Sequence, residues 1–400
     1  MLLDELESPE VWLRFLRYKQ ESGHMRQQEL QALEEFVTQK RYRPVVARIR
    51  EGQPFPLPKR TELSKLHSQK KRIVYTYPED ENRVLKLLTW LLLEKYDSIF
   101  ADNVYSFRPR KGVRDGVCSL VYAGNVGRLW SYKVDISNYF NSVPVDRLLP
   151  VLEETLADDP QTFTFLKGLL CEPMVLSGHT PIAEQKGIMA GTPISTFLAN
   201  LYLKDMDLWF QNAGVLYARY ADDIILFAPS QEQRDTLRDQ LRQFLWEKGL
   251  SVNPDKEALT GPGEQWVYLG ISCQGRVVDV APVSVEKLKG KMRRKTRALQ
   301  RWQARTGATG PQTAKAFIRA FNRKLFDNPL AHELTWARWY FPLITTTASL
   351  QQIDHYAQQC IRTLATGSHT KSAYQFRYED MKALGYISLV NQYYKHRATP

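Results

Sequence analysis

Asp222 and Asp223 stand side by side in VLYARYADDIILFA, residues 215–228, between two runs that read as buried β-strand. Adjacent carboxylates are costly there, because each loses hydration and each repels the other. Water at a solvated hairpin tip or a bound cation must offset that cost. A third acid, Asp135, lies near the end of the apolar run LWSYKVDI, residues 129–136. If these segments are neighbouring strands, all three carboxylates reach one sheet edge and form an oxygen-rich site for hard divalent cations. Two magnesium ions about 3.5–4 Å apart activate an attacking hydroxyl and stabilise the leaving oxygens of a phosphoryl transfer. Because side chains alternate across a strand, Asp222 is expected to bridge the metals and Asp223 to contribute less directly. A plain surface hairpin would alternate apolar and polar residues, which these flanking runs do not.

The elements that must position these acids can be read from periodicity. Residues 2–38 carry apolar side chains at helical spacing, including Leu30, Leu33, Phe36 and Val37. The run RPVVARIREGQPFPLPKR, with Pro44, Pro54, Pro56 and Pro58, reads as an extended connector, placing a boundary near residue 60. A helix is expected from Glu79 to Tyr96, a strand over the segment ending at Asp135, and a long helix initiated by Pro193 through PISTFLANLYLKDMDLWF. The hairpin at 215–228 follows, then a helix stopping at Gly249 and short strands around WVYLGIS and RVVDVAP. Beyond Ser284 the chain turns helical and strongly basic.

Composition sets the class. The 400 residues contain 43% hydrophobic side chains, enough for a sizeable core, and 55 Lys and Arg against 43 Asp and Glu give a net charge of +12. That balance, with 12% aromatics, suits a protein that tracks a polyanion and stacks on bases. Cys118, Cys171, Cys273 and Cys360 form no CxxC pair, which argues against a zinc site or disulfide framework. The start, MLLDELESPE, lacks a basic n-region, and the longest apolar run, LLTWLLL at 87–93, is too short to span a bilayer. A soluble, cytoplasmic protein is expected, with no membrane partner.

Ordered motifs then carry a family resemblance. YADD at 220–223 resembles the metal-binding box of reverse transcriptases, and KVDISNYF at 133–140 their preceding Asp-containing motif. In the same order, KKRIVYTYP and YSFRPRKG resemble fingers motifs, GIMAGTPISTFLANLYL the motif after them, GLSVNPDKEAL the lysine motif and WVYLGIS the primer grip. The flavour is that of bacterial group II intron, retron and antiphage-defence-associated enzymes. The resemblance implies an α+β right-hand polymerase with fingers, a palm whose antiparallel sheet carries the YADD hairpin, and an α-helical thumb. It divides the chain into an N-terminal helical extension and linker (1–59), a fingers and palm domain (60–275) and a basic helical thumb and C-terminal region (276–400).

The same resemblance assigns roles. Asp135, Asp222 and Asp223 are the catalytic carboxylates and, with Ile136, the ligands of two Mg²⁺ ions, for which Mn²⁺ can substitute. Phe140, five residues after Asp135, is the steric gate that fills the space of a ribose 2′-hydroxyl. Cations among Lys70, Lys71 and Arg72 would hold the β- and γ-phosphates of the incoming nucleotide, with Lys71 and Arg72 as the nucleotide-binding pair. Gly191 would let the backbone approach the nucleotide, and Lys256 would protonate departing pyrophosphate. Arg108 is open to two readings, a template or nucleotide contact and a structural ion pair. One departure stands out: Met189-Ala190-Gly191 replaces the family's usual Pro-Gln-Gly, removing a side-chain amide that touches the nucleotide.

Residues 287–305 place nine Lys or Arg on KLKGKMRRKTRALQRWQAR, and Arg293, Arg294, Lys295 and Arg297 are the expected nucleic-acid contacts. No HNH pattern, zinc ligands or evident RNase H acids follow. The expected activity is RNA-directed DNA synthesis from deoxynucleotides on an RNA template, a dedicated non-coding RNA in antiphage defence, giving a DNA product. Two alternatives stay open: a maturase-like RNA-binding protein, and an untemplated or protein-primed DNA polymerase.

Overall fold

Trp130–Asp135 is a central strand because it is paired along both edges, with Asp223–Ala228 on one side and Ala258–Thr260 on the other. Tyr132 and Val134 are buried, and so is every residue from Ile224 to Ala228 in the adjacent strand Asp223–Ala228. Strands covered on both faces read as continuous hydrophobic runs, which is the pattern seen at 224–228. The computed structural model describes residues 1–22, 25–64, 71–326, 335–368 and 370–398. In it the sheet order is Leu216–Tyr220, Asp223–Ala228, Trp130–Asp135, Ala258–Thr260, antiparallel throughout. Register pairs Asp135 with Asp223 and Tyr220 with Asp223. Only Ala221 and Asp222 connect the two hairpin strands, which fixes Asp222 and Asp223 locally, and the long-range pairing of Trp130–Asp135 with Asp223–Ala228 brings Asp135 to the same sheet end.

Helices pack around this sheet. Gln231–Glu247 starts at Ser230, whose hydroxyl accepts from the Gln233 amide at 3.2 Å, and ends ahead of Gly249 at φ +69°. Glu79–Tyr96 buries residues around its whole circumference, as a core helix must. The helix expected from Pro193 onward is instead two, Ser195–Tyr202 and Lys204–Asn212, separated at Leu203. Leu203 has φ −105° and ψ 10°, and its side chain is buried, so tertiary packing breaks a run that periodicity leaves continuous.

A second sheet orders Lys71–Thr76, Lys59–Ser64, Met174–Ser177 and Thr180–Ala183, with one parallel pair between the middle strands. The segment expected as an extended connector contains the helix Tyr42–Arg50. Pro44 falls in its first turn, where a missing N–H costs no helical hydrogen bond, so the proline permits the helix. The N-terminal helices belong to the same core as the central sheet: Trp12 stacks on Tyr42 at 4.9 Å, and the Asp159 carboxylate accepts from the Leu2 amide at 2.6 Å.

The chain divides into two compact units, residues 1–262 and 263–400. The second has a three-stranded antiparallel sheet, Val277–Val280, Ile271–Gln274, Trp266–Tyr268, and long helices Pro282–Thr306, Gly310–Leu325 and Ala348–Thr366. Pro282–Thr306 buries Val285, Leu288, Met292, Thr296 and Leu299 at helical spacing and leaves its basic side chains outward. Among the described residues no helix is long and apolar enough to cross a membrane.

Candidate active site

The hairpin turn is held from both sides. Ala221 adopts φ +57°, an unusual conformation for a residue with a Cβ, which costs about 1 kcal/mol or more and persists only where surroundings enforce it. The Ile136 amide donates to the Asp222 carbonyl at 2.9 Å, and the Asn253 amide to the Asp135 carbonyl at 2.8 Å. Asp135 and Ile136 are thus gripped between the turn and residues 251–253. The Ile136 side chain is buried, so this residue can offer a cation only its carbonyl.

Two lysines answer the charge of these acids. Lys256, in the single turn Pro254–Lys256, places Nζ 2.7 Å from Asp135 Oδ1, and Lys133 Nζ lies 3.3 Å from Asp223 Oδ1. Lys133 opposes Ile225 in register and therefore reaches Asp223 diagonally. No motif singles it out, although its i, i+2 relation to Asp135 puts both on one strand face. Burial pushes the Asp222 carboxyl above its ordinary value, and the Asp135 charge acts in the same direction against Lys256 and Arg72. Burial also raises Asp223, opposed chiefly by Lys133.

Among the described residues no three acidic, His or Cys side chains form a ready metal cage. The backbone converges the carboxylates as expected, but the side chains of Asp135 and Asp223 are engaged by ammonium groups. The donor set still fits a hard cation: it is all oxygen, without imidazole or thiolate, and burial together with the neighbouring carboxylates keeps Asp222 and Asp223 raised despite the two lysines.

A cleft of about 590 Å³ is lined in part by Arg72, Phe107, Phe140, Gly191 and Thr192; the three acids lie outside its lining, and the charge of Arg72 reaches Asp222. Phe140 meets Phe107 edge-on, with ring centroids 6.1 Å apart, and Phe107 meets Tyr220 at 6.0 Å. Phe107, at φ +60°, therefore links the expected gate to the YADD box, a role its sequence position does not reveal. Strand alternation separates the two fingers cations. Lys71 pairs with Glu62 at 2.6 Å, whereas Arg72 lines the cleft. Lys70 lies outside the described residues.

Arg108 resolves to its structural reading. Its guanidinium is buried, with Nε 2.7 Å from Asp97 Oδ1, Nη2 3.1 Å from Oδ2, and further bonds to the Asp97, Ala101 and Val104 carbonyls. Those donors are spent on its own loop, so the nucleic-acid contact expected of it is corrected. Gly191, at φ +100°, is needed because a Cβ would stand 3.0 Å from the Tyr75 carbonyl. The close approach is to the neighbouring strand, although Gly191 also lines the cleft.

In the second unit, Arg293, Arg294, Lys295 and Arg297 are exposed on Pro282–Thr306, with Arg293 Nε donating to the Tyr356 hydroxyl at 3.2 Å. Burial pushes the Lys324 ammonium below its ordinary value, with Lys291 and Arg294 adding to the effect. Crowded cations of this kind favour a polyanionic partner.

Residues 57–273 match the family described as Reverse transcriptase (RNA-dependent DNA polymerase). The retron Ec86 reverse transcriptase of Escherichia coli is 24% identical over 173 residues, 42% of this chain and 50% of that protein. Protein YkfC of Escherichia coli (strain K12) is 22% identical over 237 residues, 48% of this chain and 61% of that protein. The chain thus spans between half and two thirds of the length of these two relatives. Apo telomerase from Candida tropicalis shares the fold, with a TM-score of 0.50 at 11% identity over 82% of this chain and 59% of that one. A family match across more than half the chain, on a right-hand fold whose hairpin acids occupy one sheet end, places this protein in the reverse transcriptase family.

Proposed function

We propose that the chain is an RNA-directed DNA polymerase that extends a primer with deoxynucleotides. The observation that carries this reading is the register of Asp135 opposite Asp223, with Asp222 in the connecting turn and within reach of the charge of Arg72, which lines the cleft with Phe140. Asp135, Asp222, Asp223 and the Ile136 carbonyl would hold two Mg²⁺ ions. When bound, such ions supply activation of the attacking hydroxyl and stabilisation of the leaving oxygens.

The chain's own residues do the rest. Arg72 holds the triphosphate by charge-assisted hydrogen bonds. The Phe140 ring occupies the space beside C2′ and excludes a ribose hydroxyl by contact. Lys256, half-exposed beside Asp135, is the general acid toward departing pyrophosphate. The exposed cations of Pro282–Thr306 bind phosphates of a template and primer duplex, and the template is a dedicated structured RNA. A role in antiphage defence rests on the resemblance to bacterial defence-associated members.

The test is extension of a primed RNA template by the parent and by Asp222→Ala, with RNA binding measured in parallel. Loss of incorporation with RNA affinity retained is expected. Parent-like extension by the variant would remove Asp222 from the catalytic set.

A further inference from the structure

The loop Met189-Ala190-Gly191 is anchored by a side chain outside it. Asn141 Nδ2 donates to the Ile73 carbonyl at 3.1 Å, and its Oδ1 accepts from the Ala190 amide at 2.9 Å. The Ala190 carbonyl accepts from the Tyr75 amide at 2.8 Å, and the Phe140 carbonyl from the Ile188 amide at 2.8 Å. A Cβ at Gly187 would lie 2.5 Å from the Phe140 carbonyl, so the loop backbone presses directly on the gate's own peptide. Met189 is buried at φ +60°, a strained conformation enforced by these contacts.

Three segments therefore meet at Asn141: the strand carrying Arg72, the peptide carrying Phe140, and the loop carrying Gly191. All three line the same cleft. The junction needs one donor and one acceptor at fixed separation, because one neighbour is a carbonyl and the other an N–H. Among side chains of this size a carboxamide satisfies both, whereas a carboxylate cannot donate and an alkyl group can do neither.

We propose that Asn141 is a positioning residue for nucleotide selection, one that sets the spacing between Arg72, Phe140 and the 187–191 loop in place of any side-chain amide from the loop itself. The inference rests on the reading of this cleft as the deoxynucleotide site. Asn141 does not act on the reacting atoms. It fixes where the gate ring and the phosphate-binding cation stand relative to each other.

The experiment compares the parent with Asn141→Ala, which removes both bonds, and Asn141→Asp, which retains only the acceptor. Steady-state extension of a primed RNA template is measured with dNTPs and rNTPs, and binding of dATP with Mg²⁺ is titrated by calorimetry. Loss of one or two such hydrogen bonds should raise the KM for dNTP by roughly tenfold, with kcat at saturation within about threefold. Discrimination against rNTPs should fall by a similar factor, while the Mg²⁺ concentration for half-maximal rate stays at the parental value. If Asn141→Ala does not fold, Asn141→Asp gives the same reading. Parental KM and sugar preference in a folded variant would overturn the proposal, as would failure of both variants to fold, which would make Asn141 merely structural. A parent that binds dATP without extending primers would remove the polymerase reading yet leave the inference decided by the binding titration. A parent that binds no dATP would overturn both.

Discussion

Arg219 and Asp207 form a two-point ion pair entirely out of contact with solvent, with Nε 2.8 Å from Oδ1 and Nη2 2.5 Å from Oδ2. The same guanidinium donates through Nη1 to the Ala221 carbonyl at 3.2 Å, inside the strained turn that presents Asp222. Tyr217 adds a bond to Asp207 at 2.8 Å, and the Arg219 backbone is pinned between Asn103 and Tyr105. The turn that presents Asp222 is thus tied to the buried pair by a hydrogen bond of the chain's own.

Breaking that pair from one side should be severe. Arg219→Met or Asp207→Leu leaves an uncompensated buried charge, and each is expected to destabilise the fold by about 3–5 kcal/mol. The double variant should recover most of that stability, since an apolar pair of similar volume can replace a buried ion pair. It should still require more Mg²⁺ for half-maximal extension, because the Ala221 carbonyl has lost its tether. Denaturant unfolding and a metal titration decide the matter; full stability of either single variant would show the pair to be energetically idle.

The raised carboxyls of Asp222 and Asp223 predict how stability responds to pH and metal. Their folded-state pKa values lie above the ordinary carboxylate value of about 3.9, so the metal-free fold binds these protons more readily than the unfolded chain. The acids are therefore a liability at neutral pH, and it fades as pH falls through the raised folded values. Mg²⁺ should raise the Tm at pH 7 and do so less at pH 5, where protons compete for the same oxygens. Asp222→Asn should melt higher than the parent without metal and show a smaller Mg²⁺ response. An unchanged response in scanning calorimetry would place the ions elsewhere.

Phe140→Ala should relax sugar selection without removing a metal ligand. The half-buried ring lines the cleft and is supported edge-on by Phe107, so its loss opens space on the cleft side. Ribonucleotide incorporation relative to deoxynucleotide incorporation is the measurement. Retained activity with parental sugar preference would assign the gate to another residue.

Replacing Arg293, Arg294, Lys295 and Arg297 with neutral residues should weaken RNA binding and flatten its dependence on salt, because phosphate contacts release counterions. Selectivity for one RNA should decline less steeply with salt than affinity does, since stacking on unpaired bases carries it. Sequencing RNA that copurifies from the native host provides the check. One dominant species in the parent, lost in the variant, is expected; a pool resembling total cellular RNA would exclude a dedicated template.

Two of the three candidate catalytic acids were legible in the sequence because their geometry is local. A two-residue connection between apolar strands leaves little choice about where Asp222 and Asp223 lie, whereas it is the register of Trp130–Asp135 against Asp223–Ala228 that carries Asp135 to the same sheet end. The core helix Glu79–Tyr96 was equally readable from the apolar run at its centre. What tertiary structure decided was the partner of each polar group. Lys71 pairs with Glu62 while Arg72 faces the cleft, Arg108 turns inward to Asp97, Lys133 and Lys256 hold the acids, and Asn141 ties strand to loop. Lys71 and Arg72 are identical in charge and adjacent in sequence, so only the register of their strand against Lys59–Ser64 tells them apart. Hydrophobic period marks an element's faces from within the element, whereas a hydrogen bond or ion pair joins two elements distant in sequence, and no local pattern encodes which distant group will arrive within 3 Å.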